Sequence, residues 1–164
     1  MRSIFVLIFL VFTTSTLAQK TISELLHVNN KRTVPYISVQ ELAMPKTTAI
    51  ILDAREASEY NVSHIKNAIY IGYTEFNIDF ILNEFPNKNA TVVVYCSLGI
   101  RSEIIAEKIK KAGYTNVLNL YGGLFEWKNN DFPIYNSDNE KTEKVHAFSK
   151  RWSKWLLKGE KVYE

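Results

Sequence analysis

Cys96 is the single cysteine of a 164-residue chain. It stands where an apolar run, Thr91-Val92-Val93-Val94-Tyr95, gives way to Ser97-Leu98-Gly99-Ile100-Arg101 and a helical pattern. A strand-loop-helix passage turns the loop's N–H groups and the helix's positive end toward whatever the loop holds, here a sulfur. A free thiol titrates near 8.5, whereas one beside a cation or over a helix N-terminus falls to about 3.5–7.5 and is anionic at neutral pH. Gly99 permits the tight turn and Arg101 supplies a permanent cation. The chemistry this spacing offers is that of a thiolate nucleophile. The competing reading is a small apolar filler at a strand end, because cysteine is among the most buried residue types. His27, His64 and His146 are scattered and offer no metal-ligand spacing with Cys96, so neither metal nor cofactor is expected.

The elements that must position such a nucleophile follow from periodicity. Residues 22–29 read as a short helix leading into a brief strand at Pro35-Tyr36-Ile37, and Ser38 with Glu41 forms a capping box for the next helix. Ala49-Ile50-Ile51-Leu52 is a buried-type strand ending at Asp53, and Ala68-Ile69-Tyr70-Ile71 is another. Phe76, Phe80, Ile81 and Phe85 fall at helical spacing before Pro86. After the cysteine loop, Ile105, Ile109 and Ala112 share one helix face, and Gly113 stops that helix behind a lysine-rich last turn. Asn116-Val117-Leu118-Asn119-Leu120 is a further strand, and Gly122-Gly123 turns into a short helix holding Trp127. Strands alternating with helices predict an α/β fold, a central parallel sheet with helices on both faces. Ligands of such sheets bind beyond the carboxyl ends of the strands, where Cys96 and Asp53 both fall.

Four groups of residues then fit one pattern. They are Leu52-Asp53-Ala54-Arg55-Glu56 with Glu59-Tyr60; Ser63-His64-Ile65 with Ala68; Val94-Tyr95-Cys96 with Gly99 and Arg101; and Leu120-Tyr121-Gly122-Gly123 with Trp127 and Pro133. In order and spacing they resemble a single-domain rhodanese, a sulfurtransferase, over roughly residues 36–135. The resemblance implies a rhodanese-like sheet and a two-step reaction. Cys96 takes a sulfur from a small donor, thiosulfate or another persulfide or thiol donor, and passes it to a thiol or cyanide acceptor. It implies that the loop Ser97, Leu98, Gly99, Ile100 and Arg101 stabilises the persulfide, with Arg101 holding a donor's sulfonate. The six residues from Cys96 to Arg101 match the rhodanese loop, whereas phosphatases and arsenate reductases of this fold use one residue more. One departure stands out. Many thiosulfate-using members carry Arg directly after the cysteine, and this chain carries Ser97, which predicts a weaker hold on a doubly charged donor. Asp53 and Arg55 read as support for the loop rim, by bracing it or by positioning substrate, and His64 as a packing residue or a general base. The alternative function is a rhodanese-like binding or sensing module of the cell envelope whose cysteine does not turn over.

The ends frame this domain. Met1-Arg2-Ser3, the apolar run Ile4 to Phe12 and the small residues up to Ala18 form the pattern of a secretory signal peptide, too short to span a bilayer. The alternative is an uncut N-terminal anchor. Export to the periplasm or outside the cell is expected, where a lone cysteine is shielded, cycles through a modified form or pairs with another molecule. The expected organisation is a signal peptide at 1–18, a helical lead-in at 19–33, a rhodanese-like domain at 34–135 and a helical extension at 136–164. A formal charge of +3 is too small to point to nucleic acid. In the extension, Val145, Phe148, Trp152, Trp155 and Leu156 fall on one face of a helix with Lys150, Arg151, Lys154 and Lys158 between them. That predicts a C-terminal amphipathic helix, packed back on the domain or docked through residues 145–158 on a partner protein or an anionic membrane surface.

Overall fold

The computed structural model describes residues 21–163, so the expected signal peptide lies outside the described residues. Five strands form one parallel sheet in the order β1-β5-β4-β2-β3. They are β1 (Tyr36–Ile37), β2 (Ile50–Asp53), β3 (Ile69–Tyr70), β4 (Thr91–Tyr95) and β5 (Asn116–Leu120). The alternation of side chains along a strand splits the core in two. Val92 and Val94 of β4 face a cluster with Leu52, Ile105 and Ile109, while Val93 and Tyr95 face one with Leu120, Leu124 and Phe125. Both faces of β4 are therefore dry, as its unbroken apolar run requires.

The helices divide accordingly. On the Val92 side pack α4 (Ile78–Glu84) and α5 (Arg101–Lys111); on the Val93 side pack α1 (Ile22–Asn29), α2 (Val39–Ala43) and α6 (Gly123–Asn129). The short α3 (Ala57–Val62) follows β2. Capping chemistry sets the starts of α1 and α2: Thr21 accepts from Glu24 N and Ser38 from Glu41 N, and each glutamate accepts from its cap's N–H in return. The parallel sheet and its helices stand where periodicity put them, with β4 and β5 matching to the residue.

The tail does not. In place of the expected amphipathic helix, β6 (Ile134–Tyr135) pairs antiparallel with β7 (Lys141–Thr142), and β8 (Lys144–His146) pairs parallel with β9 (Glu160–Val162). Helical character is confined to one 3-10 turn at Ser153–Trp155. Phe148 explains the break, because its φ of +62° is incompatible with an α-helix and a three-residue turn closes there through Ser149 N–H to Ala147 O. The apolar residues that matched a helix face serve instead as separate anchors: Val145, Trp155 and Leu156 are buried in the Val93-side core. Phe148 is 48% exposed and Trp152 only partly covered, so the tail's apolar residues are divided between core and surface.

Candidate active site

Cys96 is the first residue after β4, at the carboxyl end of the sheet's central strand. Beneath it the loop sits on the start of α6. Leu124 N donates to Cys96 O at 2.9 Å and Phe125 N to Ser97 O at 3.0 Å. Such an approach requires a residue without a side chain at Gly123. Its φ is +56°, and a Cβ there would run into the Cys96 carbonyl oxygen and come within 2.9 Å of Leu98 N. On the other side Gly99 O accepts from Asn30 of the N-terminal segment at 2.8 Å and from buried Asn119 of β5 at 2.9 Å.

The sulfur is buried among donors. Gly99 N lies 3.1 Å from Cys96 Sγ and Ser102 Oγ lies 3.5 Å from it, while the same hydroxyl makes a 2.7 Å bond to Asn119 Oδ1. Burial alone would raise the thiol's pKa. The charge of Arg101, the Ser102 hydroxyl and the backbone N–H groups of Ser102 and Leu98 outweigh it, and the net shift is downward.

Arg101 acts from a fixed position. Its Nη1 donates to Glu59 Oε2 at 2.6 Å and its Nη2 to Glu59 Oε1 at 2.7 Å, and Nη2 also reaches Ser97 Oγ at 3.1 Å. Ser97 closes the triangle by donating to Glu59 Oε1 at 2.8 Å. Burial pushes the Glu59 carboxyl up, but the bonds and charge of Arg101 with the charge of Arg55 overcome this and hold it at about 2. The guanidinium expected to grip a donor's sulfonate thus faces an internal carboxylate. It remains a cavity wall, with its side chain 17% exposed.

A cavity of roughly 250 Å³ opens over the sulfur, and Ser97, Leu98, Ile100 and Arg101 of the loop line it. Asp53 and Arg55 are not among its lining residues. They form a fully buried pair, Arg55 Nη2 to Asp53 Oδ2 at 2.6 Å, and the same Nη2 donates to Ser63 O at 2.6 Å, tying the end of β2 to the segment after α3. His64 stacks on Tyr60 with ring centroids 4.1 Å apart and pairs through its backbone with Tyr135, the arrangement of a packing residue. Among the described residues no three His, Cys, Asp or Glu side chains group as a metal would need.

Glu59, Asn119 and Ser102 had no role in the sequence reading. Asn119 left a signal, a polar residue inside a strand whose neighbours are apolar, which must find buried partners. Glu59 left only its place in the Glu59-Tyr60 motif.

The family model for the rhodanese-like domain matches residues 38–130. The thiosulfate sulfurtransferase GlpE of Coxiella burnetii is 30% identical over 95 residues, covering 58% of this chain and 85% of that protein. A tRNA uridine(34) hydroxylase of Aster yellows witches'-broom phytoplasma is 31% identical over 103 residues, covering 56% of this chain; the match spans only 32% of that longer protein. Among solved structures, a thiosulfate sulfurtransferase from Pseudomonas aeruginosa shares the fold with a TM-score of 0.60 at 24% identity, over 79% of this chain and 25% of that one. A rhodanese-like domain from Anabaena shares it with a TM-score of 0.56 at 24% identity, over 62% of this chain and 79% of that one.

Proposed function

Because the chain belongs to the rhodanese-like domain family, we propose that it is a sulfurtransferase working through a persulfide on Cys96. The thiol's proton is lost to solvent first, which the lowered pKa favours. The thiolate then attacks the outer sulfur of a donor. With thiosulfate, the new bond joins Cys96 Sγ to that sulfur, the S–S bond of the donor breaks, and sulfite leaves with the electron pair. In the second half-reaction a thiophilic acceptor attacks the outer sulfur of the persulfide. Cyanide leaves as thiocyanate, a thiolate leaves as a new persulfide, and in either case the Cys96 thiolate is regenerated.

The observation that carries this reading is the set of donors around Sγ, with Gly99 N at 3.1 Å and Arg101 held nearby. They stabilise negative charge on the sulfur and, after transfer, on the persulfide that replaces it. Export of the mature chain from residue 19, to the periplasm or beyond, is part of the proposal and rests on the N-terminal sequence pattern.

A second reading, a binding module whose cysteine does not turn over, is favoured by one feature. Ser97 replaces the arginine found after the cysteine in many thiosulfate users, and Arg101 is engaged by Glu59. Thiocyanate formation from thiosulfate and cyanide separates the two. The expected result is turnover in the wild type and none in Cys96→Ala. Equal rates in the two proteins would overturn the assignment of Cys96.

A further inference from the structure

The wall of the cavity opposite the loop comes from the C-terminal tail. Phe148 and Trp152 close the space above Cys96, Leu98 and Ile100. Both lie beyond residue 130, where the family match ends. The tail is a built part of the molecule, since Val145, Trp155 and Leu156 on either side of these rings are buried in the core.

Phe148 is held where it is at some cost. Its φ of +62° is a conformation that bulky side chains rarely adopt, and it persists only where the surroundings enforce it. Here the enforcement is visible. Phe148 N donates to His146 Nδ1 at 3.2 Å, Ser149 N closes the turn on Ala147 O at 2.7 Å, and the Phe148 ring lies 5.0 Å from the Arg101 guanidinium carbon. Yet the residue is 48% exposed. A strained phenylalanine left so exposed gains only part of the stabilisation of full burial, and the rest of its ring faces the cavity.

The polar side chains of the lining are engaged largely within the protein, and the charge of Arg101 is answered by Glu59. Arg101 is bound to Glu59 and Ser97, Ser97 donates to Glu59, and Asn29 donates to Leu25 O at 2.8 Å. Beside the thiolate and these engaged polar groups, the cavity presents to a ligand two aliphatic side chains from the loop and two aromatic rings from the tail.

The geometry points to a sulfur substrate with an apolar organic body, whose carbon part seats against Phe148 and Trp152 while its sulfur meets Cys96, in preference to a small inorganic anion such as thiosulfate. This rests on the sulfur-transfer reading and names its substrate class. Phe148 and Trp152 are then specificity residues contributed by the tail.

Two thiosulfonate donors with the same reacting group test it, methanethiosulfonate and benzenethiosulfonate. In each the Cys96 thiolate bonds to the outer sulfur, the S–S bond to the sulfonyl group breaks, and the sulfinate leaves with the electron pair. The readout is the ratio of kcat/KM for the aryl over the methyl donor, divided by the same ratio for a free thiol in solution, which removes intrinsic reactivity. The ratio is expected above one in the wild type. It should fall about tenfold in Phe148→Ala and fall less in Trp152→Phe, which keeps a ring, with unchanged melting temperatures showing that both variants are folded. A ratio of one in the wild type, or the same ratio in all three proteins, would overturn the tail's role while leaving sulfur transfer intact. Absence of transfer from either donor would overturn sulfur transfer itself and this inference with it.

Discussion

Ser102 shows how much of the site is invisible at the level of residue type. Its one hydroxyl proton is shared between Asn119 Oδ1 at 2.7 Å and Cys96 Sγ at 3.5 Å. Ser102→Ala removes a group that favours the thiolate, so the pH midpoint of Cys96 alkylation should move up, read from iodoacetamide rates across pH. An unmoved or lowered midpoint would contradict that role. Glu59 governs stability instead. Its folded pKa of about 2 lies below the ordinary 4.5, so the stability it contributes is fully present above pH 4.5 and is lost as pH falls toward 2. Glu59→Gln should lower the denaturant midpoint at pH 7, by about 3 kcal/mol in stability, and should flatten the acid side of the stability profile. Cys96 and its loop were legible because strand, glycine and arginine leave a pattern in sequence. The Glu59 pairing with Arg101 was not, since it joins residues 42 apart and no local periodicity encodes it.

Elements whose residues must satisfy a repeating environment were the readable ones. β4 is buried on both sides and reads as an apolar run; α1 and α2 declare themselves by their capping boxes. The tail misled because Val145, Phe148, Trp152, Trp155 and Leu156 also fit a helical face, and periodicity does not register one residue at positive φ. Nor could it show that α6 supports the Cys96 loop. Gly123→Ala tests that support. The added methyl would meet the Cys96 carbonyl and disfavours the φ of +56°, so a loss of at least about 3 kcal/mol is expected, measured by thermal or urea unfolding. Near-normal stability with full Cys96 reactivity would show that the loop does not depend on this contact.

The described residues form a parallel sheet with Cys96 at the end of its central strand, enclosed by segments from both ends of the described chain. Asn30 from before β1 holds the loop, and the tail supplies a wall of the cavity. If the tail belongs to the core, Trp155→Ala should cost about 3–5 kcal/mol, as a full anchor does; a cost under about 0.5 kcal/mol would mark it as a loose appendage. The central claim is that Cys96 carries sulfur, and intact mass tests it most directly. The protein would be exposed in turn to thiosulfate, 3-mercaptopyruvate and glutathione persulfide, with Cys96→Ala alongside. The expected result is one added sulfur on the wild type alone, removed by cyanide. No addition from any donor, with Cys96 still open to alkylation, would contradict the account and leave a binding module in its place.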